Sequence, residues 1–256
     1  MNDGVLFRQL VREAKADPSI IGFFLSGSRG KGRETAHSDY DIEVVVKDGT
    51  AQRYKNKYRA KRLEGFGFTI FSLSEFREHA ALCGPLEWDR PSYAHVKAII
   101  DKTGEIQRLI DAKGRIPKGV VKRYVSGHLD GYINYVYRSL KCFRDGNPVG
   151  ARLEAALSLP CFLHVLFGME GRTTPYAKYL EWELKAHPLR KCRLKPKEIT
   201  TALLRILKDA DVRTQQRLFK ALEMECRKGG YGRVFESWDP DSIAFIKSFR
   251  ALSARP

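Results

Sequence analysis

The chain has 256 residues and a hydrophobic content of 43%, which is enough for one large domain or two ordinary ones with a sizeable core. Its five scattered cysteines form no Cys-x-x-Cys pair and its six histidines show no zinc spacing, which argues against a disulfide framework and a structural zinc module. The sequence shows neither a secretory signal nor an apolar run near the ~20 residues that span a bilayer, and its net charge is +16, so we expect a cytoplasmic protein with an anionic partner and no membrane contact.

The first predicted elements are a helix, a buried strand and a glycine-rich turn. Apolar residues recur at helical spacing over residues 5–15, and the apolar run of residues 20–25 is typical of a buried strand. Small residues follow, with Gly27-Ser28 first and Gly30 and Gly32 behind them. Glycines in a turn allow backbone N–H groups to close around a phosphate without obstruction by a Cβ atom.

Two carboxylates open the next predicted strand. Asp39 and Asp41 precede an apolar run over residues 42–46, and side chains two apart on a strand project from the same face. Neighbouring carboxylates repel each other unless cations bridge them. Mg²⁺ binds through carboxylate oxygens and substrate phosphates. The sequence therefore joins a phosphate cradle to a metal-binding carboxylate pair.

The ordered set Gly27-Ser28, a spacer and Asp39-Tyr40-Asp41 resembles the signature of the polymerase-β-like nucleotidyltransferase superfamily. That superfamily includes the kanamycin, streptomycin and lincosamide nucleotidyltransferases and the minimal nucleotidyltransferases of toxin–antitoxin pairs. The resemblance implies a mixed sheet, ATP or another NTP as substrate, a two-ion Mg²⁺ site, and transfer of a nucleoside monophosphate to a hydroxyl acceptor. It also implies that Gly27, Ser28 and Arg29 contact the phosphates, while Asp39 and Asp41 ligate the metals.

Superfamily members usually carry a third carboxylate on a later strand, and the matching predicted strand, residues 66–72, contains no acid. Glu43 is one substitute, because residues 39, 41 and 43 share a face. Glu87 and Asp89 are alternatives, either as general bases or in a loop salt bridge to Arg90. The missing acid leaves open a second interpretation, a nucleotide-binding antitoxin-like or RNA-binding regulatory module with a decayed active site.

The remainder of the first half completes an α+β pattern. A basic run over residues 53–62, with Tyr54 and Tyr58 interleaved, suits either phosphate contacts with base stacking or a solvated helix. A strand over 66–72, a short helix from Ser74 and a strand over 93–100 follow. The character changes around residues 114–119, and we predict domains over 1–117 and 118–256.

The second half is predicted to be an all-α helical bundle. It also resembles, more loosely, the helical C-terminal domains of antibiotic nucleotidyltransferases, which close over the NTP and shape the acceptor pocket. That likeness implies a lysine on the phosphates, with Lys178 as the candidate and Arg152 second. Residues 118–256 hold +12 of the net charge, which favours a triphosphate, a phosphorylated acceptor or RNA. The predicted helices cover residues 120–140, 151–167 with a kink at Pro160, 176–186, 197–209, 212–228 and 239–252.

Overall fold

Four strands of the first half form one mixed sheet in the computed structural model, which describes residues 3–61 and 63–250. Their order is β3-β2-β1-β4, with β1 antiparallel to β2 and β4, and β2 parallel to β3. The α+β class with a mixed sheet followed by helices is therefore confirmed. The strands are β1 (Ile20–Leu25), β2 (Tyr40–Val46), β3 (Phe66–Ser72) and β4 (Ala98–Asp101).

The two faces of the sheet pack against different helices because side chains alternate along each strand. On β2, Ile42 and Val44 join the core beneath the first and third helices, whereas Val45 joins Phe24 in a second core on the opposite face. The same alternation places Asp41 and Glu43 on the Val45 face. The helices of this half are α1 (Asp3–Ala16), α2 (Gly27–Gly30), α3 (Ala51–Lys61), α4 (Leu73–Glu78), α5 (Arg90–Tyr93) and α6 (Ile106–Lys113).

One of the two alternatives for the basic run, and one predicted strand of this half, were wrong. Tyr54 and Tyr58 are only 1% and 4% exposed within α3, so they belong to the core and cannot stack on a base. The predicted strand over 93–100 begins only at Ala98, because Pro91 starts a helical turn and His95 has a φ of +67°. The basic run predicted over 53–62 ends at a residue, Arg62, that lies outside the described residues.

The chain divides into two compact units at the Arg115–Ile116 junction, and the second unit is helical throughout its regular structure. One apolar core joins its helices. The segment predicted as a helix over 176–186 is a 3₁₀ turn (Ala177–Tyr179) followed by a short helix. The predicted helix over 239–252 ends at Ser248, and its last two predicted residues lie outside the described part. The helices are α7 (Lys118–Arg144), α8 (Pro148–Met169), α9 (Leu180–Ala186), α10 (Pro196–Asp209), α11 (Val212–Lys228), α12 (Gly232–Glu236) and α13 (Pro240–Ser248).

Helix α8 is longer than the helix predicted over residues 151–167. It contains Pro160 and remains helical on both sides of it. Within residues 3–61 and 63–250 it is the one helix whose length and mean hydropathy would suffice to cross a membrane. A core helix meets the same criterion, and α8 contributes Phe162, Val165 and Leu166 to the helical core.

Candidate active site

Two glycines determine the path of the turn that follows β1. Gly27 has a φ of +58°, and a Cβ built on it would lie 1.9 Å from Oδ2 of Asp41. A Cβ on Gly30 would lie 2.1 Å from the carbonyl oxygen of Leu25. The backbone N–H of Ser26 donates to the carbonyl of Asp41 at 2.9 Å, which fixes the turn to β2. The turn therefore lies directly against the Asp41 carboxylate because Gly27 carries no side chain, and it folds back onto β1 because Gly30 carries none.

Ser28 and Arg29 hold the loop that leads to Asp39. The Ser28 hydroxyl donates to the Ser38 hydroxyl at 2.9 Å. The Arg29 guanidinium donates to the carbonyl oxygens of Ser38 at 2.7 Å and Asp39 at 3.0 Å, and it lies 3.9 Å from the ring centroid of Tyr40. Both side chains thus position the carboxylate-bearing loop. Their predicted contact with phosphates stays a prediction.

Three carboxylates form a row that runs from solvent into the core. Asp39 is exposed, Asp41 is half-buried, and Glu43 is only 6% exposed. On the neighbouring parallel strand β3, Gly67 pairs with Asp41 and Thr69 pairs with Glu43. A Cβ at Gly67 would lie 3.7 Å from Oδ1 of Asp41, so β3 leaves space beside this carboxylate. The third carboxylate of the row therefore comes from β2 itself.

The buried Glu43 carboxyl has two hydroxyl partners. The Tyr93 hydroxyl donates to its Oε2 at 3.1 Å, and the Ser26 side chain also hydrogen-bonds to it. Burial raises the pKa of Glu43 to about 7, the hydrogen bonds from Ser26 and Tyr93 oppose this shift, and the nearby charges of Asp89 and Asp41 add to it. A carboxyl with a pKa near neutrality can exchange a proton at physiological pH.

The alternative acids, Glu87 and Asp89, have local structural partners. Glu87 accepts the backbone N–H of Cys83 at 2.7 Å. Asp89 lies 2.8 Å from Nε2 of His79 and accepts the Ser92 hydroxyl at 2.5 Å. The buried Arg90 guanidinium donates to backbone carbonyls, namely those of Ala80, Ala112 and Arg115.

Sequence reasoning missed Tyr93 and Ser26 as partners of Glu43. Tyr93 lies 50 positions beyond Glu43 and was predicted to begin a strand, whereas it ends α5. Ser26 immediately precedes the glycine turn, and this position next to the predicted site is the feature of the sequence that could have indicated a role for it.

The structure places Lys178 in the helical unit, apart in the chain from the other six predicted site residues. Its side chain is exposed, and its Nζ lies 4.9 Å from the ring centroid of Tyr179. Arg152, the second candidate, is exposed on α8. The assignment of either side chain to a nucleotide stays a prediction.

No protein-family model and no curated protein matches the chain. Among solved structures, the chain is similar to a crystal structure of a nucleotidyltransferase-like protein from Exiguobacterium sibiricum 255-15. The TM-score is 0.44 and the sequence identity 14%, over 94% of this chain and 85% of that chain. A similarity this low carries no argument about the activity or ligands of this chain.

Proposed function

We propose that this protein is a Mg²⁺-dependent nucleotidyltransferase that transfers a nucleoside monophosphate, AMP from ATP being the expected case, to a hydroxyl group of a small-molecule acceptor. The observation that carries the proposal is the contact between the Gly27 turn and the Asp41 carboxylate. It joins a turn that has no Cβ at its point of contact, Gly27, to a strand that bears Asp41 and Glu43 on one face. This arrangement supports the likeness of the Gly27-Ser28 and Asp39-Tyr40-Asp41 motifs to the superfamily signature.

The donor set of Asp39 and Asp41 fits Mg²⁺. Both are carboxylates, which hard divalent cations prefer, and neither is fully buried. The absence of a Cβ at Gly27 and Gly67 leaves backbone rather than side chains beside Asp41. Asp39 and Asp41 would hold the Mg²⁺, which would supply positive charge to the attacking and leaving oxygens of an in-line displacement at phosphorus.

Glu43 is the residue that we propose as general base. In its ionised form it accepts the proton of the acceptor hydroxyl, whose oxygen bonds to the α-phosphorus of ATP while the bond to pyrophosphate breaks. Ser26 and Tyr93 orient the carboxyl through their hydrogen bonds. Arg29 keeps the Ser38–Asp39 backbone in place, and the Gly27-Ser28 turn contacts the phosphates in this proposal.

A second candidate function is a regulatory module that binds nucleotide without transferring it. One observation favours it: β3 places Gly67 and Thr69, and no carboxylate, opposite Asp41 and Glu43. This candidate shares the phosphate turn and the metal ligands with the first, so it differs in catalysis alone.

Pyrophosphate release tests the proposal and separates the two candidates. The full chain is incubated with ATP, Mg²⁺ and a panel of hydroxyl-bearing acceptors, alongside Asp41→Asn and the matched control Glu34→Gln. Glu34 is an exposed acid in the loop that precedes β2. We expect acceptor-dependent release that falls at least about 100-fold in Asp41→Asn and is retained in Glu34→Gln, in the range reported for losing a transition-state charge interaction. ATP binding without release would favour the regulatory module.

A further inference from the structure

A basic groove lies between helices α10 and α11 of the helical unit. Lys195, Lys197, Arg205 and Arg217 line a volume of about 300 Å³ together with Glu198 and Thr201. All four cationic residues are exposed. The Oε2 atom of Glu198, the one acid among the described residues of the lining, accepts the backbone N–H of Lys195 at 2.7 Å in the first turn of α10.

The four cations of this groove lack acidic partners. Within the described part of the chain, none of them forms an ion pair. Elsewhere in the helical unit, some exposed cations have such partners. Arg144 pairs with Asp145 at 2.7 Å, and Lys185 pairs with Glu181 at 2.7 Å. The groove therefore carries four positive charges that no acidic side chain of the described residues pairs with.

The row of cations continues along α11 beyond the groove. Arg213, Arg217 and Lys220 are exposed and spaced i, i+4, i+7, which places them on one face of the helix. At 1.5 Å of rise per residue, this row extends about 10 Å along the axis. A small anion would need only one or two of these side chains, whereas a linear polyanion can use them in succession.

We propose that the basic groove and the α11 row bind the phosphate backbone of a nucleic acid. The four cations of the groove favour phosphate oxygens. The described residues of the lining include no aromatic side chain, so the surface fits backbone contacts that position a nucleic acid without reading its bases. All residues of the surface belong to the helical unit, so the inference does not rest on the proposed transferase activity.

Fluorescence anisotropy of the full chain with a labelled stem–loop RNA, and with DNA of the same sequence, tests this inference over a salt series of about 50 to 200 mM. The groove variant is Arg205→Glu/Arg217→Glu. The control Arg144→Glu/Lys185→Glu makes the same change in net charge at exposed positions of the same unit. We expect the logarithm of the wild-type association constant to fall linearly with the logarithm of the salt concentration. The groove variant should bind at least tenfold more weakly, with a salt slope reduced by about 1 to 2, and the control should change less than about threefold.

Three results would overturn the inference: no binding of either nucleic acid at the lowest salt, equal losses in the two variants, or an unchanged salt slope in the groove variant. Preference for RNA or for DNA would identify the source of the backbone, and binding of either supports the inference. If the charge reversal impairs folding, Arg205→Gln/Arg217→Gln takes its place, and we again expect weaker nucleic-acid binding and a smaller salt slope than in wild type. ATP-dependent thermal stabilisation of the groove variant should match wild type, which separates this test from that of the transferase site.

Discussion

Gly27 and Asp41 approach each other so closely that a Cβ at position 27 would lie 1.9 Å from Oδ2 of the carboxylate. Gly27 also has a φ of +58°, a region that side-chain-bearing residues enter at a cost. Position 27 therefore requires glycine for two reasons, its backbone conformation and the lack of room for a Cβ. The atom that a Cβ would displace belongs to the Asp41 carboxylate, which we propose binds metal. Substitution at Gly27 should therefore act on ligand binding as well as on stability.

We expect Gly27→Ala to lose at least tenfold in Mg²⁺-dependent affinity for ATP, because the new methyl group displaces the Asp41 carboxylate. Gly32→Ala is the matched control. Gly32 has a φ of +62°, and a Cβ there would meet nothing within 4 Å. Each variant should lose about 1 to 2 kcal/mol of stability from backbone strain. Isothermal titration calorimetry measures the affinities, and equal losses in the two variants would show that strain alone explains the effect.

Glu43 should make the stability of the protein depend on pH. Its pKa is raised to about 7 in the folded state, from 4.5. Between these values only the unfolded chain ionises, so it binds fewer protons than the folded chain and stability falls as pH rises. The stabilisation is complete below about pH 4.5 and is lost through about pH 7.

Urea unfolding without Mg²⁺ measures this effect in wild type, in Glu43→Gln and in the exposed-acid control Glu34→Gln. One pKa unit corresponds to about 1.4 kcal/mol. The free energy of unfolding of Glu43→Gln, relative to that of wild type, should therefore rise by roughly 2 to 3 kcal/mol from pH 5 to pH 8. Glu34→Gln should run parallel to wild type. If the curve for Glu43→Gln also runs parallel to wild type, burial does not raise the pKa of the Glu43 carboxyl.

Arg29→Lys tests whether the guanidinium positions the loop. Lysine cannot supply two separate N–H groups to the Ser38 and Asp39 carbonyls while lying flat over the Tyr40 ring. We expect faster amide hydrogen exchange across residues 31–39 and an approximately tenfold weaker Mg²⁺-dependent affinity for ATP. Arg12→Lys, at an exposed position of α1, should change neither quantity. Unchanged exchange in Arg29→Lys would contradict the positioning role.

Tyr132 offers a test of the helical core that is independent of the site. It is 2% exposed, and its hydroxyl oxygen has no hydrogen-bond partner among the described residues. A buried unpaired hydroxyl costs free energy, so Tyr132→Phe should leave stability unchanged or raise it by about 1 kcal/mol. Phe162→Ala, at a neighbouring core position, should instead cost about 3 to 5 kcal/mol. A clear loss in Tyr132→Phe, measured by urea unfolding, would reveal a partner for the hydroxyl.

Local pattern predicted the part of the site that is local in the chain. The apolar run before Gly27 is β1, and alternation along β2 correctly placed Asp41 and Glu43 on one face. The environment of Glu43 could not be predicted, since Tyr93 is distant in sequence and reaches it only through the packing of α5 on the sheet. The strand predicted over 93–100 failed for a backbone reason, the left-handed conformation of His95.

Tertiary packing also decided the outcome for the basic run. Tyr54 and Tyr58 occur among lysines and arginines that suggest a solvent-facing surface. In a helix with 3.6 residues per turn, however, residues four apart lie on one face, and the charged residues between them lie on the other. Both tyrosines consequently lie in the core, with the Tyr54 hydroxyl donating to Asp17 at 2.6 Å. Composition alone does not distinguish an aromatic platform from the buried stripe of a basic helix.

Thermal stabilisation by ATP, with and without Mg²⁺, tests the central claim most directly when wild type is compared with Asp39→Ala/Asp41→Ala. A ligand that binds only the folded state raises the free energy of unfolding by about 2.7 kcal/mol when its concentration is a hundredfold above its Kd. The proposal predicts a Mg²⁺-dependent rise in Tm for wild type that is absent in the double variant. No rise with ATP or with any of the other three NTPs, or an equal rise in the double variant, would contradict a nucleotidyltransferase site built on Gly27, Asp39 and Asp41.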